Sequence, residues 1–198
     1  MWVFIELTMQ TSILWTGREY YSLENCLINT TGENFEINSV IIDLYEGRIY
    51  RVEYYIKTNH NWETQLCEVK TQLDDKREIL SFCSEGKGAW TMNGKPSPEF
   101  EGCIDVDIPL TPFTNTLPIN RLKLLQQEQR EIKVVYIDIL EHQIKSVRQK
   151  YVRLSETEYK YENVPNDFEA VIKVDESGFV IDYPELFVRT AIRKSNYS

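Results

Sequence analysis

The chain has almost no histidine: His60 and His142 are the only two among 198 residues. Each sits in a polar, turn-like setting, with no Gly-x-Ser-x-Gly element and no paired metal-ligand spacing beside it. Neither a serine–histidine hydrolase nor a histidine-held metal is written here, and no metal or cofactor is expected. Cysteine is nearly as scarce. Cys26, Cys67, Cys83 and Cys103 follow one another at intervals of about 40, 16 and 20 residues, which matches no zinc pattern. They read as small core hydrophobes of a reduced, cytoplasmic protein. Long apolar runs are missing too, since no window approaches the ~18–20 residues that cross a bilayer. The opening MWVFIELTMQ has no basic n-region and is interrupted by Glu6, so it makes a poor secretory leader. Basic residues are outnumbered, 22 against 31 acidic, for a net charge of −9. DNA, RNA and anionic membrane surfaces repel such a protein, and nucleic acid is not an expected partner.

What is abundant is aromatic and alternating. Twelve tyrosines, eight phenylalanines and four tryptophans, with 42% hydrophobic residues overall, suit one domain with a substantial β-rich core. Tyr50, Val52, Tyr54 and Ile56 alternate with Arg51, Glu53 and Lys57, and period two over this length predicts a half-buried strand. Further strands are expected over Glu19–Asn29, Phe35–Tyr45, Trp62–Leu73 (Trp62, Thr64 and Leu66 on one face), Glu78–Ser84 and Ala89–Met92. Later ones are Lys133–Leu140, Lys145–Leu154, Tyr159–Asn163, Phe168–Asp175 and Phe179–Tyr183. Thr30 to Asn34, Glu46-Gly47, Asn59 to Asn61, Asp74 to Lys76, Gly86 to Gly88 and the hairpin pair Asn93-Gly94 punctuate them. A turn roughly every ten residues is the rhythm of a sandwich, barrel or roll. The fold class is all-β: a curled antiparallel sheet, open barrel or β-roll in a single domain over 1–198.

One stretch breaks the rhythm. Residues 101–124, EGCIDVDIPLTPFTNTLPINRLKL, hold Pro109, Pro112 and Pro118 among threonines and apolar anchors. Proline removes a backbone donor and fixes φ, so Pro109 and Pro112 exclude a helix and a central strand. A stiff segment with apolar anchors suits a fixed loop that lines something. Short helices are expected near Asn115–Arg121, capped by Thr114 or Asn115, and over Leu122–Gln129. Within this block Gly102 to Pro109 echoes Gly178 to Pro184, each running glycine, apolar strand, aspartate, one residue, proline; a duplication giving two similar halves would explain it.

Chemistry-bearing clusters are thin. Asp105 and Asp107 share a face if their segment is extended, a spacing suited to a shared proton or to Ca²⁺, or simply to capping a turn and pairing with Arg121. Arg51, Arg148 and Arg153 stand among tyrosines, where stacking or sugar contact competes with ordinary solvation. Trp15, Trp62 and Trp90 form either a ligand wall or core.

The block Gly102 to Leu122, with TPFTNTLPI at its centre, resembles the bacterial family described as putative glycolipid-binding, formerly a domain of unknown function. The likeness continues through Tyr50-Arg51-Val52, Asn61-Trp62, Gly88-Ala89-Trp90, Asn93-Gly94, Gln149 to Leu154 and Val174 to Pro184, spanning Ile13 to Arg189. Residues 1–12 look like an addition, and Asn120 stands where the family suggests a second basic residue beside Arg121. The resemblance implies a curled sheet that binds an amphiphile on its concave face; with no catalytic constellation visible in the sequence, catalysis is not expected. Arg51, Asp105, Asp107, Asn115, Arg121, Tyr151 and Arg153 would then fix a head group, and Trp62, Trp90 and Tyr183 would line the apolar part. Two alternatives remain open: an enzyme using Asp105 or Asp107 as general base, and an interaction module acting through a sheet edge or a homodimer face.

Overall fold

The structure, a computed structural model, describes residues 8–197 apart from 20, 33, 86 and 87. The leader reading, which rests on the first residues, and parts of the 30–34 and 86–88 turns therefore lie outside the described residues.

All the strands join one sheet. The first meander is β1 (Thr8–Gly17), β2 (Leu23–Thr31), β3 (Asn34–Tyr45), β4 (Arg48–Thr58), β5 (Thr64–Leu73), β6 (Lys76–Ser84), β7 (Trp90–Met92) and β8 (Lys95–Pro96). The second is β9 (Asp105–Asp107), β10 (Gln129–Asp138), β11 (Gln143–Arg153), β12 (Glu158–Val164), β13 (Glu169–Val174), β14 (Val180–Tyr183) and β15 (Phe187–Tyr197). Their spatial order is β8-β7-β6-β5-β4-β3-β2-β1-β15-β14-β13-β12-β11-β10-β9. Two meanders thus meet where the first strand pairs with the last. Every neighbouring pair is antiparallel except β9 with β10. Neither β1 nor β15 is among the strands expected from the sequence: each alternates weakly, and their pairing joins residues about as far apart as the chain allows.

Alternation places the core. Tyr50, Val52, Tyr54 and Ile56 are all at most 2% exposed, and burying each such side chain stabilises by roughly 1.5–3 kcal/mol. In β5 the expected face is wrong. β5 starts at Thr64, and a register shift against Thr58 turns Cys67 and Val69 inward rather than Leu66. Trp62 precedes the strand in a turn at φ 64°, where the Asn59 side chain accepts from the backbone N–H groups of Asn61 and Glu63.

The sheet curls until its two ends approach, without a ladder between β8 and β9. The Gly102 N–H donates to the Gly88 carbonyl at 3.1 Å. Gly88 has φ +75°, and a Cβ there would lie 2.9 Å from the Gly102 backbone, so only glycine allows this approach. Trp90 adds a second clasp, its indole N–H donating to the Cys103 carbonyl at 2.7 Å. One buried cluster consequently draws side chains from β1–β7 and from Val106, Val135 and Ile137 across the gap. The second cluster gathers Tyr151, Tyr159, Tyr161, Ile172, Val174 and Tyr183 around Ile119. The Gly102 and Gly178 echoes occupy different places: one opens an edge strand in a parallel pair, the other an interior antiparallel strand.

The four cysteines are all free thiols; Cys26, Cys67 and Cys103 are buried, whereas Cys83 is exposed rather than a core residue. Burial also raises the Cys26 thiol well above its ordinary pKa. A thiol reagent should therefore label one cysteine of the native protein, Cys83, and four after denaturation without reductant. Finding two or fewer after denaturation would reveal a disulfide.

Candidate functional site

The proline-rich segment fills the curl of the sheet. After β9 the chain turns at Pro109-Leu110, passes through a 3₁₀ turn at Phe113–Asn115 and enters α1 (Thr116–Leu122). Pro118 lies in the first turn of α1, a position that tolerates proline. The 3₁₀ turn runs straight into α1, so Asn115 is already helical at the N-cap position and neither it nor Thr114 caps with its side chain. Lys123, at φ 48°, ends the helix, and no second helix follows over 122–129. Thr111 to Ile119 are buried without exception. The segment is a plug, not the wall of an open cavity.

Three polar knots tie the plug to both meanders. In the first, Glu24 of β2 is 2% exposed, and its Oε1 accepts from Ser39 at 2.7 Å, Tyr54 at 2.6 Å and Thr111 at 2.9 Å. Burial outweighs those bonds and pushes the Glu24 carboxyl up to about 7, and Oε2 has no hydrogen-bond partner among the described residues. In the second, the Arg121 guanidinium grips Asp105, with Nε at 3.0 Å from Oδ1 and Nη2 at 2.5 Å from Oδ2. Asp105 is wholly buried, and desolvation still holds its carboxyl above the ordinary value despite the cation. In the third, Asp107 accepts from Thr114 at 3.0 Å and from Gln149 at 2.6 Å, and Tyr151 donates to Asn115 at 2.8 Å. Burial raises Asp107 as well. Each aspartate has its own partners, and there is no sign of one proton shared between them.

The structure therefore gathers Asp105, Asp107, Asn115, Arg121 and Tyr151 in one place, as internal supports. Tyr183 packs edge-on to Tyr161 in the second core cluster. Arg153 donates to the carbonyls of Ser155 and Leu124 with its guanidinium over Tyr159. Trp90 is the clasp described above. Trp62 stacks on Phe35 at 4.0 Å and meets Phe179 edge-on. Arg51 stands apart on the outer face, exposed and paired with Glu53 at 2.8 Å.

Surface grooves reach Arg51 on the outer face and Arg121 beside β10 and β11, and a further opening, apolar in most of its lining, lies at the end of the curl where β1, β3, β10 and β14 finish. A cleft of about 270 Å³ is lined by Gly17 at the end of β1, by Glu19 and Ser22 between β1 and β2, and by Asp43, Leu44, Tyr45 and Tyr50 of the β3–β4 hairpin. Pro109 and Leu110 of the plug form its inner limit, and Asp138, Leu140, Glu141, Leu186 and Phe187 complete it. Tyr45 donates to Glu141 across the gap between the two meanders, and Tyr50 donates to Asp43 at 3.3 Å. The glutamate holds the Tyr45 phenol up at about 12, and partial burial raises Asp43. None of the ten residues expected from the sequence lines this cleft. It is small beside the ~300–1,000 Å³ of common ligand pockets, but it has their mixture of apolar wall and convergent polar groups.

The family model described as putative glycolipid-binding matches residues 12–189. The chain belongs to this family. The match begins within β1, so residues 8–11 extend a strand that the match already includes. The fold is similar to the crystal structure of a DUF1089 family protein from Pseudomonas aeruginosa, 35% identical, with a TM-score of 0.76 over 85% of this chain and 91% of that one. It is also similar to a beta-barrel-like protein of a domain of unknown function, DUF1849, from Brucella abortus, with a TM-score of 0.50 over 96% and 98% of the two chains. At 10% identity that second likeness concerns the fold alone. No curated protein matches.

Proposed function

We propose that the protein binds an amphiphilic small molecule of the glycolipid kind, with the polar head and first part of the apolar chain in the cleft at the end of the curl. The observation that carries this reading is the cleft's composition. Leu110, Leu140, Leu186 and Phe187 offer an apolar wall, and Tyr45, Tyr50, Asp43 and Glu141 offer hydrogen-bonding groups to a head. The apolar surface continues outward: Leu23 faces Ile42 and Leu44 faces Ile49 across strands, and all four are exposed. The family's description points the same way. A binding role is preferred to a catalytic one because Asp105 and Asp107, the carboxyls suited to general base work, are consumed by internal bonds. Free thiols fit a reducing cytoplasm, and among the described residues no helix is long and apolar enough to cross a membrane.

The cleft can bury roughly five methylenes at ~0.8 kcal/mol each, which after ordering costs and a few head-group bonds predicts a dissociation constant on the order of 0.1 mM. Calorimetric titration with decyl glucoside, below its micelle-forming concentration, should show this affinity. Leu44→Arg, at an exposed position on the cleft's rim, should weaken it at least about tenfold while leaving the melting temperature nearly unchanged. Equal binding by the variant would place the site elsewhere.

A further inference from the structure

The last pairing of the sheet leaves an edge uncovered. β10 is laddered to β11 along its whole length, but β9 covers its other side only at Val134, Val135 and Tyr136. Among the described residues no strand lies against that side of residues 129–133, and no backbone bond from a turn or loop reaches them. Gln129, Arg130, Glu131 and Lys133 are exposed there, and Ile132 is half-buried. A row of unpaired N–H and C=O groups is a template for a further strand. A groove of about 450 Å³ runs along this edge, between it and Ile104 of the chain entering β9. Its two walls differ because side chains alternate along β10. Ile132 lies with Leu122 against the second core cluster, whereas Lys133 stands opposite Arg148 of β11. Arg121 and Arg130 bring the lining to four cations against one carboxylate, Glu131, in a protein whose net charge is −9. Arg130 pairs with the adjoining Glu128, Arg148 with Glu131, and Arg121 with the buried Asp105. The first two pairs are exposed and hold their cations by little. Lys133 takes part in no ion pair among the described residues.

We propose that residues 129–133 of β10 dock an extended segment of another protein, one in which acidic and apolar residues alternate, as an added strand of the sheet. Such a segment would prolong the line of β9 beyond Asp105, pairing the open backbone groups while its side chains go alternately to the two walls. Its carboxylates would meet Lys133 and Arg148 on one wall, and its apolar side chains Ile132 and Leu122 on the other. A second copy of this chain is a poor occupant, because it would set the same cations against these. The edge lies apart from the cleft, and its docking role does not depend on amphiphile binding.

The probe is a fluorescein-labelled heptapeptide of alternating glutamate and valine. Fluorescence anisotropy at neutral pH and low salt should give a dissociation constant below about 0.1 mM, weakened several-fold in ~0.5 M salt. The matching lysine–valine peptide should bind at least about tenfold more weakly. So should the glutamate–valine peptide with its backbone nitrogens methylated, which keeps the charge and loses the donors. Arg130→Glu combined with Lys133→Glu, both at exposed positions, should weaken the first peptide at least about tenfold with the melting temperature nearly unchanged. Backbone amide shifts on adding that peptide should centre on residues 129–133. Equal binding by the lysine or the methylated peptide, no binding by the first, or shifts centred on the cleft would each overturn the proposal. Pairing of the free protein with itself through residues 129–133 would overturn it too, by making a second copy the occupant.

Discussion

Arg121→Ala is expected to destabilise the protein by about 3 kcal/mol, because it strands a buried carboxylate. Asp105 is wholly buried and takes two nitrogens of one guanidinium, which is itself only 13% exposed. Arg121→Lys should recover only part of the loss, since an ammonium cannot reproduce the fork. Arg51→Ala, on the exposed outer face, should change stability by less than about half a kcal/mol. The loss at Arg121 should depend on pH in one direction. Burial already raises Asp105, and removing the cation raises it further. A raised carboxyl favours the folded state at low pH, and that advantage is lost as pH rises through the folded value. The gap between wild type and Arg121→Ala should therefore be widest at neutral pH and narrow under acid, where Asp105 is protonated in both. Chemical denaturation at several pH values measures it. A gap that is small, or that does not change with pH, would show that the ion pair does not hold the plug.

Glu24→Gln is expected to do the opposite and stabilise the protein above neutrality. The Glu24 carboxyl is raised from 4.5 to about 7 by burial. At roughly 1.4 kcal/mol per pH unit, that gap corresponds to about 3 kcal/mol. The sign follows from proton binding: between those two values the folded state holds a proton that the unfolded state has released. Stability from this site is complete below about pH 4.5 and declines as pH rises through about 7. Glutamine mimics the protonated carboxyl and still accepts from Ser39, Tyr54 and Thr111. Its stability should come closest to wild type below about pH 4.5, where the carboxyl is protonated in both states, and exceed it by about 2 kcal/mol at pH ~8–9, the remainder being offset by the unpartnered amide. A variant less stable than wild type across the whole range would mean that the charged carboxylate is the better knot.

The same residues show how far the sequence could be read. Period two located β4 because its buried and exposed positions are chemically distinct. The prolines located the plug, because only a segment outside the ladder tolerates them. The pairing of Arg121 followed from the two aspartates, though which of them it meets depends on how β9 lies against α1, and the answer is Asp105. Glu24 left a legible signal. It falls in phase with Cys26 and Ile28, both buried, so a strand through Leu23–Thr31 had to turn a carboxylate inward. The expected helix after Leu122 failed for a reason local sequence does not carry: the backbone of Gln127 is claimed by the Arg153 carbonyl on β11. The cleft was out of reach. It draws on chain segments from Gly17 to Phe187, brought together only by the pairing of β1 with β15 and by the curl. Of the tryptophans and arginines singled out from the sequence, Trp90 is a clasp, Trp62 packs on Phe35, Arg121 forms a buried ion pair, Arg153 binds backbone carbonyls and Arg51 forms a surface ion pair, roles that depend on tertiary neighbours and not on local pattern.

The claim that ligand binds at the end of the curl, and not on a concave face emptied of its plug, is tested most directly by nuclear magnetic resonance. Backbone amide shifts should be followed in the intact protein during titration with decyl glucoside. The account predicts progressive shifts at Leu44, Tyr45, Leu110, Leu140, Leu186 and Phe187, with Asn115, Arg121 and Tyr151 unmoved. Shifts centred on Asn115, Arg121 and Tyr151, signalling displacement of the plug, would contradict it, as would a spectrum that does not change at all.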